Sequence, residues 1–120
     1  MSTTINPNYE GLFAQYATFR CDENVQEGSV VNVIADGKVG LASMEKGFCG
    51  IAHAVRNGMC SVQLRGCATL SYLGAPPNYG YSPFLSNDDG QTMIIMQDAK
   101  ARELLVLDID PLNYTCTVLL

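Results

Sequence analysis

Charged side chains are scarce in this chain of 120 residues, and cationic ones are scarcer still. Only 16% of the residues are charged, and seven lysines and arginines against twelve aspartates and glutamates give a net charge of −5. The cations are scattered along the sequence rather than clustered. A nucleic-acid-binding protein needs a basic stripe that neutralises phosphates. The composition therefore argues against DNA or RNA as a partner.

The sequence also lacks the residue clusters of metal and cofactor sites. It has one histidine, and its five cysteines include no Cys-x-x-Cys pair, so a zinc site would have too few close ligands. Its glycines form no dinucleotide fingerprint, phosphate-binding loop or nucleophile elbow. We therefore predict no metal and no cofactor.

No catalytic residue can be assigned from the sequence. A histidine acts as a general base only beside a nucleophile or a carboxylate, and His53 has no such partner at a recognisable spacing. We interpret His53 as a histidine on a strand surface or at an interface. The Asp108-x-Asp110 pair and the Asp88-Asp89-Gly90 segment are interpreted as turn residues rather than cation ligands. The protein is predicted not to be an enzyme.

Long apolar runs are absent as well. No segment approaches the roughly 18 continuous apolar residues that span a bilayer, and Met1–Glu10 lacks the basic start and apolar run of a signal peptide. An odd number of cysteines without a secretion signal argues against a disulfide framework. We expect a soluble protein that is made in a cytoplasm and contacts no membrane, with Cys60 and Cys116 as small core residues.

Two turn signals between apolar runs are the most informative features that are present. Asp36-Gly37 separates Ser29–Ala35 from Lys38–Ala42, and Asn57-Gly58 separates Phe48–Val55 from Met59–Leu64. Asn-Gly and Asp-Gly readily adopt the positive φ angles that two-residue hairpin turns require. The sequence therefore predicts two β-hairpins.

Alternating apolar residues predict further strands. The longest alternation runs from Met59 to Tyr72, and Gly66 is predicted to mark a bulge or barrel corner within it. A third hairpin is expected around Asn87–Gly90, a short helix over Gln97–Glu103, and a last strand that reaches Leu120. No internal repeat is apparent. Eight or nine short strands and no crossover helix predict an all-β fold, a small antiparallel β-barrel or sandwich.

The ordered set of these segments resembles the small head-decoration, or capsid cement, proteins of bacteriophages and prophages of Gram-positive hosts. The resemblance is carried by ATFRCDENVQEGSVVNV (Ala17–Val33), ADGKVGLA (Ala35–Ala42), GFCGIAHAVRNGMCSVQLRGCATLSY (Gly47–Tyr72) and ELLVLDIDPLNYTCTVLL (Glu103–Leu120). It implies a barrel or tulip-like body over residues 17–120 and an N-terminal arm over residues 1–16. The family has no catalytic residues that could be transferred.

The resemblance also implies a function and partners. A structural virion protein of this kind decorates and stabilises the capsid exterior as a homotrimer bound to the major capsid protein, after assembly in the host cytoplasm. The capsid-contact residues of the arm would be Tyr9, Leu12, Phe13 and Tyr16. The excess of apolar residues agrees with burial between subunits.

A head-fibre or tail-associated module that binds host-surface carbohydrate is the alternative. The loop Pro76–Pro83 would then serve as an aromatic platform, with Tyr79 and Tyr81 as its contact residues. An enzyme that uses His53 remains a third alternative.

Overall fold

The structure is a computed structural model that describes residues 14–120. This part of the chain contains strands and turns but no helix. The strands are β1 Gln15–Cys21, β2 Val30–Ala35, β3 Lys38–Leu41, β4 Gly50–Arg56, β5 Met59–Arg65, β6 Cys67–Leu73, β7 Gly80–Ser86, β8 Thr92–Ile95, β9 Arg102–Asp110 and β10 Thr115–Leu119. The predicted all-β barrel class is confirmed.

The ten strands close into two small barrels of five strands each. The first barrel has the strand order β1-β3-β2-β4-β5, and the second has the order β10-β6-β8-β7-β9. Most neighbours are antiparallel, whereas β1 pairs parallel with β3 and β6 pairs parallel with β8. Because each sheet is closed, neither has an edge strand that is unpaired along its whole length. Unpaired edge strands can pair with other chains and are the main aggregation hazard of β proteins.

The predicted hairpins are confirmed. Ala35 pairs with Lys38 across the Asp36-Gly37 turn, and Arg56 pairs with Met59 across the Asn57-Gly58 turn. Both central residues of the second turn have positive φ, 54° at Asn57 and 74° at Gly58. A positive φ at both positions is the mark of a type I′ turn, whose twist matches that of the flanking strands. The hairpin β7–β8 around Asn87–Gly90 also forms.

Gly66 separates β5 from β6, as expected for a barrel corner. It has a φ of 103°, a value that L side chains rarely adopt. The chain leaves the first barrel through this residue and enters the second. The long alternation from Met59 to Tyr72 is therefore two strands that belong to different barrels.

The two barrels share one topology, although the sequence shows no obvious repeat. In each barrel the first strand lies parallel to the third, the second and third strands form a hairpin, and the fifth strand closes against the first. Matching the strands in order aligns Cys60-Ser61-Val62 of β5 with Cys116-Thr117-Val118 of β10. The buried cysteine and valine of each triplet point into their own barrel.

The core of the second barrel is completed by residues of the N-terminal half. Val30, Ala42, Phe48 and Ile51 belong to the same buried cluster as Phe84 and its neighbours in β6 to β10. The guanidinium of Arg102 lies 5.0 Å from the centre of the Phe48 ring and donates a hydrogen bond to the carbonyl of Cys49, at 3.3 Å. A separate cluster around Val39 and Val62 fills the first barrel. The two barrels are therefore joined by shared apolar packing.

Two expectations need correction. The segment Gln97–Glu103 forms no helix, because Asp98 instead organises a turn through its carboxylate and β9 already begins at Arg102. The predicted arm over residues 1–16 overlaps the barrel, because β1 begins at Gln15 and Tyr16 pairs with Gln63. A single domain over residues 17–120 stays a prediction. Within residues 14–120, no helix has the length and apolar character needed to cross a membrane.

Candidate functional site

One end of the second barrel carries large apolar side chains in contact with solvent. Strand directions place the end of β6, the start of β7, the end of β8 and the β9–β10 turn at this end. We call it the apolar end. Its apolar residues, each more than 40% exposed, are Leu73, Tyr79, Tyr81, Met96, Leu112 and Tyr114. The opposite end of the same barrel packs against the first barrel.

The apolar end is held in shape by the β9–β10 turn. The carboxylate of Asp110 accepts a hydrogen bond of 2.7 Å from the side-chain amide of Asn113. Tyr114 takes a positive φ of 53°, and its carbonyl accepts a hydrogen bond from the backbone N–H of Tyr72 at 2.9 Å. The rings of Tyr72 and Tyr114 meet edge to face with centroids 6.0 Å apart. The turn therefore presents Leu112, 89% exposed, on a fixed support.

The residues predicted to contact a capsid or a carbohydrate lie in different places. Tyr79 and Tyr81 lie at the apolar end, 67% and 70% exposed. Tyr16 lies far from them in sequence and topology, on β1 of the first barrel. Tyr9, Leu12 and Phe13 lie outside the described residues. The structure thus does not bring the two predicted sets together within residues 14–120.

A second candidate site lies around His53 on β4. Its imidazole Nε2 lies 2.7 Å from Oε1 of Gln63 on β5, and its ring meets the ring of Tyr16 edge to face at 5.1 Å. His53 is exposed, whereas Gln63 is only 1% exposed. His53 thus lies on a strand surface, with a buried amide as its partner.

The hydrogen bonds of Gln63 fix the orientation of its side-chain amide and place a hydrogen on Nε2 of His53. Its amide nitrogen donates to the carbonyls of Arg65 and Cys67, at 3.1 and 2.9 Å. Carbonyl oxygens only accept hydrogen bonds, so the amide oxygen must be the atom that faces His53. His53 therefore carries a proton on Nε2, and its neutral form has Nδ1 as the acceptor nitrogen.

His53 borders a groove between the two barrels with a volume of about 790 Å³. The first barrel contributes β1, β4 and β5, and the second contributes β6 and β10. The residues that line the groove are Tyr16, Gly28, Ile51, Ala52, His53, Gln63, Cys67, Ala68, Thr69 and Thr117. None of these lining residues carries a formal charge when His53 is neutral. We call this the inter-barrel groove.

Cys60 and Cys116 are not poised for nucleophilic or metal chemistry. Burial raises the pKa of Cys116 to about 11, and burial with a smaller contribution from neighbouring Cys21 raises the pKa of Cys60 to about 11. These thiols stay protonated near neutral pH, whereas the thiolate is the nucleophile and the metal ligand. The prediction that both residues are small core residues is confirmed. All five cysteines are free.

One aspartate of each acidic pair, Asp89 and Asp110, organises a turn, whereas Asp108 lies within β9 opposite Thr117. Asp89 accepts hydrogen bonds from the backbone N–H groups of Gln91 and Thr92, at 2.8 and 2.9 Å, and from the Thr92 hydroxyl. Partial burial acts to raise the pKa of Asp89, but these hydrogen bonds outweigh it and hold the pKa below its usual value. Over residues 14–120, no three His, Cys, Asp or Glu side chains come together as a metal site.

Comparisons with protein families, curated proteins and solved structures found no match to this chain. The site must therefore be interpreted from its own chemistry. Sequence reasoning missed Gln63, because alternation places it with Met59, Ser61 and Arg65 on the face opposite the core of its barrel. Only the presence of a second barrel buries that position. Thr69, exposed, and Thr117, half-buried, lie on the outer face of the second barrel, where alternation alone gives no signal for a groove.

Proposed function

We propose that this protein is a non-catalytic structural protein that decorates and stabilises the exterior of a bacteriophage or prophage capsid. The observation that carries the proposal is the apolar end of the second barrel. Soluble monomers rarely expose large contiguous apolar patches, and those that do usually use them for binding. Leu73, Tyr81 and Leu112 are presented there on strand ends and a hydrogen-bonded turn, which is a suitable contact surface for a major capsid protein.

The architecture supports this proposal in a second way. Two closed barrels joined by apolar packing give a stiff body, and the wide shell of a capsid offers many identical binding sites. Repeated binding of copies that also contact one another gains from avidity, so each individual contact can be weak. The resemblance to capsid cement proteins over Ala17–Leu120 supports the same interpretation, including a trimer on the capsid.

The test is co-sedimentation of the full chain with bare, expanded capsids of the phage or prophage that encodes it. We expect saturable pelleting at a fixed ratio to the major capsid subunit. The double variant Tyr79→Ser, Leu112→Ser should bind about tenfold or more weakly, because exposed aromatic and aliphatic anchors carry much of the energy of an interface.

Met59→Ser is the matched control, since Met59 is an exposed apolar residue of the first barrel. It should bind like the unmodified protein. Well-folded protein that does not pellet with the capsids would contradict the proposed function. Equal weakening by the control and the double variant would contradict the assignment of the contact to the apolar end.

A further inference from the structure

The same irregularity occurs at the same place in both barrels. Between β4 and β5 the pairing skips one residue, because Ala52 pairs with Val62 and Ala54 pairs with Ser61, leaving His53 unpaired. Between β9 and β10, Val106 pairs with Val118 and Asp108 pairs with Thr117, leaving Leu107 unpaired. His53 and Leu107 are therefore equivalent bulged residues.

Comparison of the two bulges shows which of their side chains the barrel needs in order to close. Val62 matches Val118, so Gln63 occupies the position that Leu119 occupies in the second barrel. In the second barrel the two corresponding positions carry apolar residues, Leu107 and Leu119. A bulge with a hydrogen-bonded histidine and glutamine is thus not a condition for this barrel to close. Bulges re-aim side chains and are frequent next to functional sites.

The polar pair of the first barrel gives His53 a defined chemical character. The two backbone carbonyls that bind the Gln63 amide nitrogen leave its oxygen for Nε2–H of His53. Neutral His53 then offers Nδ1 as a hydrogen-bond acceptor at the border of the inter-barrel groove. A ligand group that donates a hydrogen bond without carrying a charge, such as a hydroxyl, suits this atom.

The opposite wall of the groove adds two hydroxyl groups. Thr69 on β6 and Thr117 on β10 are directly paired across the strands, and both line the groove. A hydroxyl both donates and accepts hydrogen bonds. The ring of Tyr16, 51% exposed, supplies an aromatic surface on the side of the first barrel.

We propose that the inter-barrel groove is a binding site for an uncharged saccharide. Its volume of about 790 Å³ falls in the range of small-molecule sites. With His53 neutral, its described lining residues offer hydroxyls, an acceptor nitrogen and an aromatic ring, but no formal charge that would favour an ionic ligand. Saccharide hydroxyls fit the polar groups, and the apolar face of a sugar ring fits Tyr16. This site is separate from Tyr79 and Tyr81, and it does not depend on the proposed capsid role.

The experiment is an NMR titration of the full ¹⁵N-labelled chain with the neutral trisaccharides maltotriose, cellotriose and N,N′,N″-triacetylchitotriose, and with the anionic sialyllactose. We expect at least one neutral trisaccharide to shift the backbone amide signals of His53, Thr69 and Thr117 in a saturable manner. Sialyllactose should not compete with it.

Two variants test the residues that the proposal names. His53→Leu installs the side chain that the equivalent bulge of the second barrel already carries, and we expect it to fold. Thr117→Val removes one hydroxyl and keeps the β-branched shape. Each should weaken binding about five- to tenfold, the effect of losing one or two neutral hydrogen bonds. Thr115→Val, two residues earlier on the same strand and outside the groove, should bind like the unmodified protein.

Three results would overturn the proposal. The first is that none of the neutral trisaccharides shifts groove amides. The second is that Thr115→Val weakens binding as much as Thr117→Val, which would show that the threonine hydroxyl in the groove is not a contact. The third is that the shifts centre on Tyr79 and Tyr81, which would place a saccharide site at the apolar end instead.

Discussion

Gln63 has a structural task besides its contact with His53. Its amide nitrogen donates to the carbonyls of Arg65 and Cys67, which lie on either side of Gly66. The side chain therefore ties together the last residue of one barrel and the first residue of the next. Because Gln63 is buried, both hydrogen bonds are shielded from water.

Replacing Gln63 by leucine should be strongly destabilising. The variant mimics Leu119 in the second barrel, but it leaves the carbonyls of Arg65 and Cys67 without their side-chain donor at the corner. A buried polar group that loses its partner costs about 1–3 kcal/mol, so we expect a loss of about 2–4 kcal/mol in the free energy of unfolding. Urea denaturation followed by circular dichroism measures it.

Ser61→Ala is the control for Gln63→Leu, because Ser61 lies two residues earlier on the same face of β5. It should change stability by less than about 0.5 kcal/mol. If Gln63→Leu were as stable as the control, the hydrogen bonds of the Gln63 amide would not stabilise the corner at Gly66. The role of Gln63 would then be confined to the orientation of His53.

Turns show at the scale of elements why some features could be predicted from sequence. The Asn57-Gly58 hairpin depends on the φ preferences of two adjacent residues. The local sequence is therefore enough to predict it. The segment Gln97–Glu103 has helix-forming residues, yet it forms a turn and the start of β9, because pairing with β7 overrides weak intrinsic preference. Conformational preferences of neighbouring residues can be recognised in the sequence, whereas pairing with strands that are distant in sequence cannot.

Gly58 and Gly90 allow two reasons for a turn glycine to be compared: the local need for a positive φ, and close contact with a residue that is distant in sequence. Both have positive φ, 74° and 69°. A Cβ added at Gly58 would meet nothing within 4 Å, whereas one at Gly90 would lie 2.8 Å from Cδ2 and 3.0 Å from Cβ of Leu41. Gly90 also accepts a hydrogen bond from Val30 across the junction of the barrels, at 2.7 Å.

We therefore expect Gly58→Ala and Gly90→Ala to differ. Gly58→Ala should cost about 1 kcal/mol, the penalty of a left-handed backbone conformation alone. Gly90→Ala should cost that amount plus about 1–3 kcal/mol for overpacking against Leu41. Thermal and urea unfolding of both variants measure the difference. Equal costs would mean that Leu41 can move aside without loss of packing.

At the scale of the whole molecule, alternation in the sequence does not show which barrel each strand belongs to or how the two barrels pack together. The pattern from Met59 to Tyr72 correctly separates two faces, but it cannot show that the strand passes from one barrel to another. It also cannot show that the outer face of the first barrel is covered by the second, which buries Gln63 and forms the inter-barrel groove. The all-β class and the hairpins could be predicted, whereas the duplication of the barrel and the groove required the strand pairings.

The start of β1 also limits how the predicted arm can be tested. Deletion of residues 1–16 would remove Gln15 and Tyr16, which pair with Arg65 and Gln63 on β5. It would also remove the aromatic partner of His53. Loss of folding in that variant would therefore say nothing about an arm. A deletion of residues 2–13 leaves the whole of β1 in place.

We expect the protein without residues 2–13 to unfold cooperatively, with a midpoint within a few degrees of the full chain. The strands that close the two barrels lie within residues 14–120 and are all kept in this variant. If residues 1–13 contact the capsid as the resemblance implies, the deletion should weaken co-sedimentation while the melting midpoint stays in place. A truncated protein without a cooperative transition would show that these residues are needed by the fold. Unchanged co-sedimentation would instead leave the apolar end as the capsid contact and remove the arm from the proposed function.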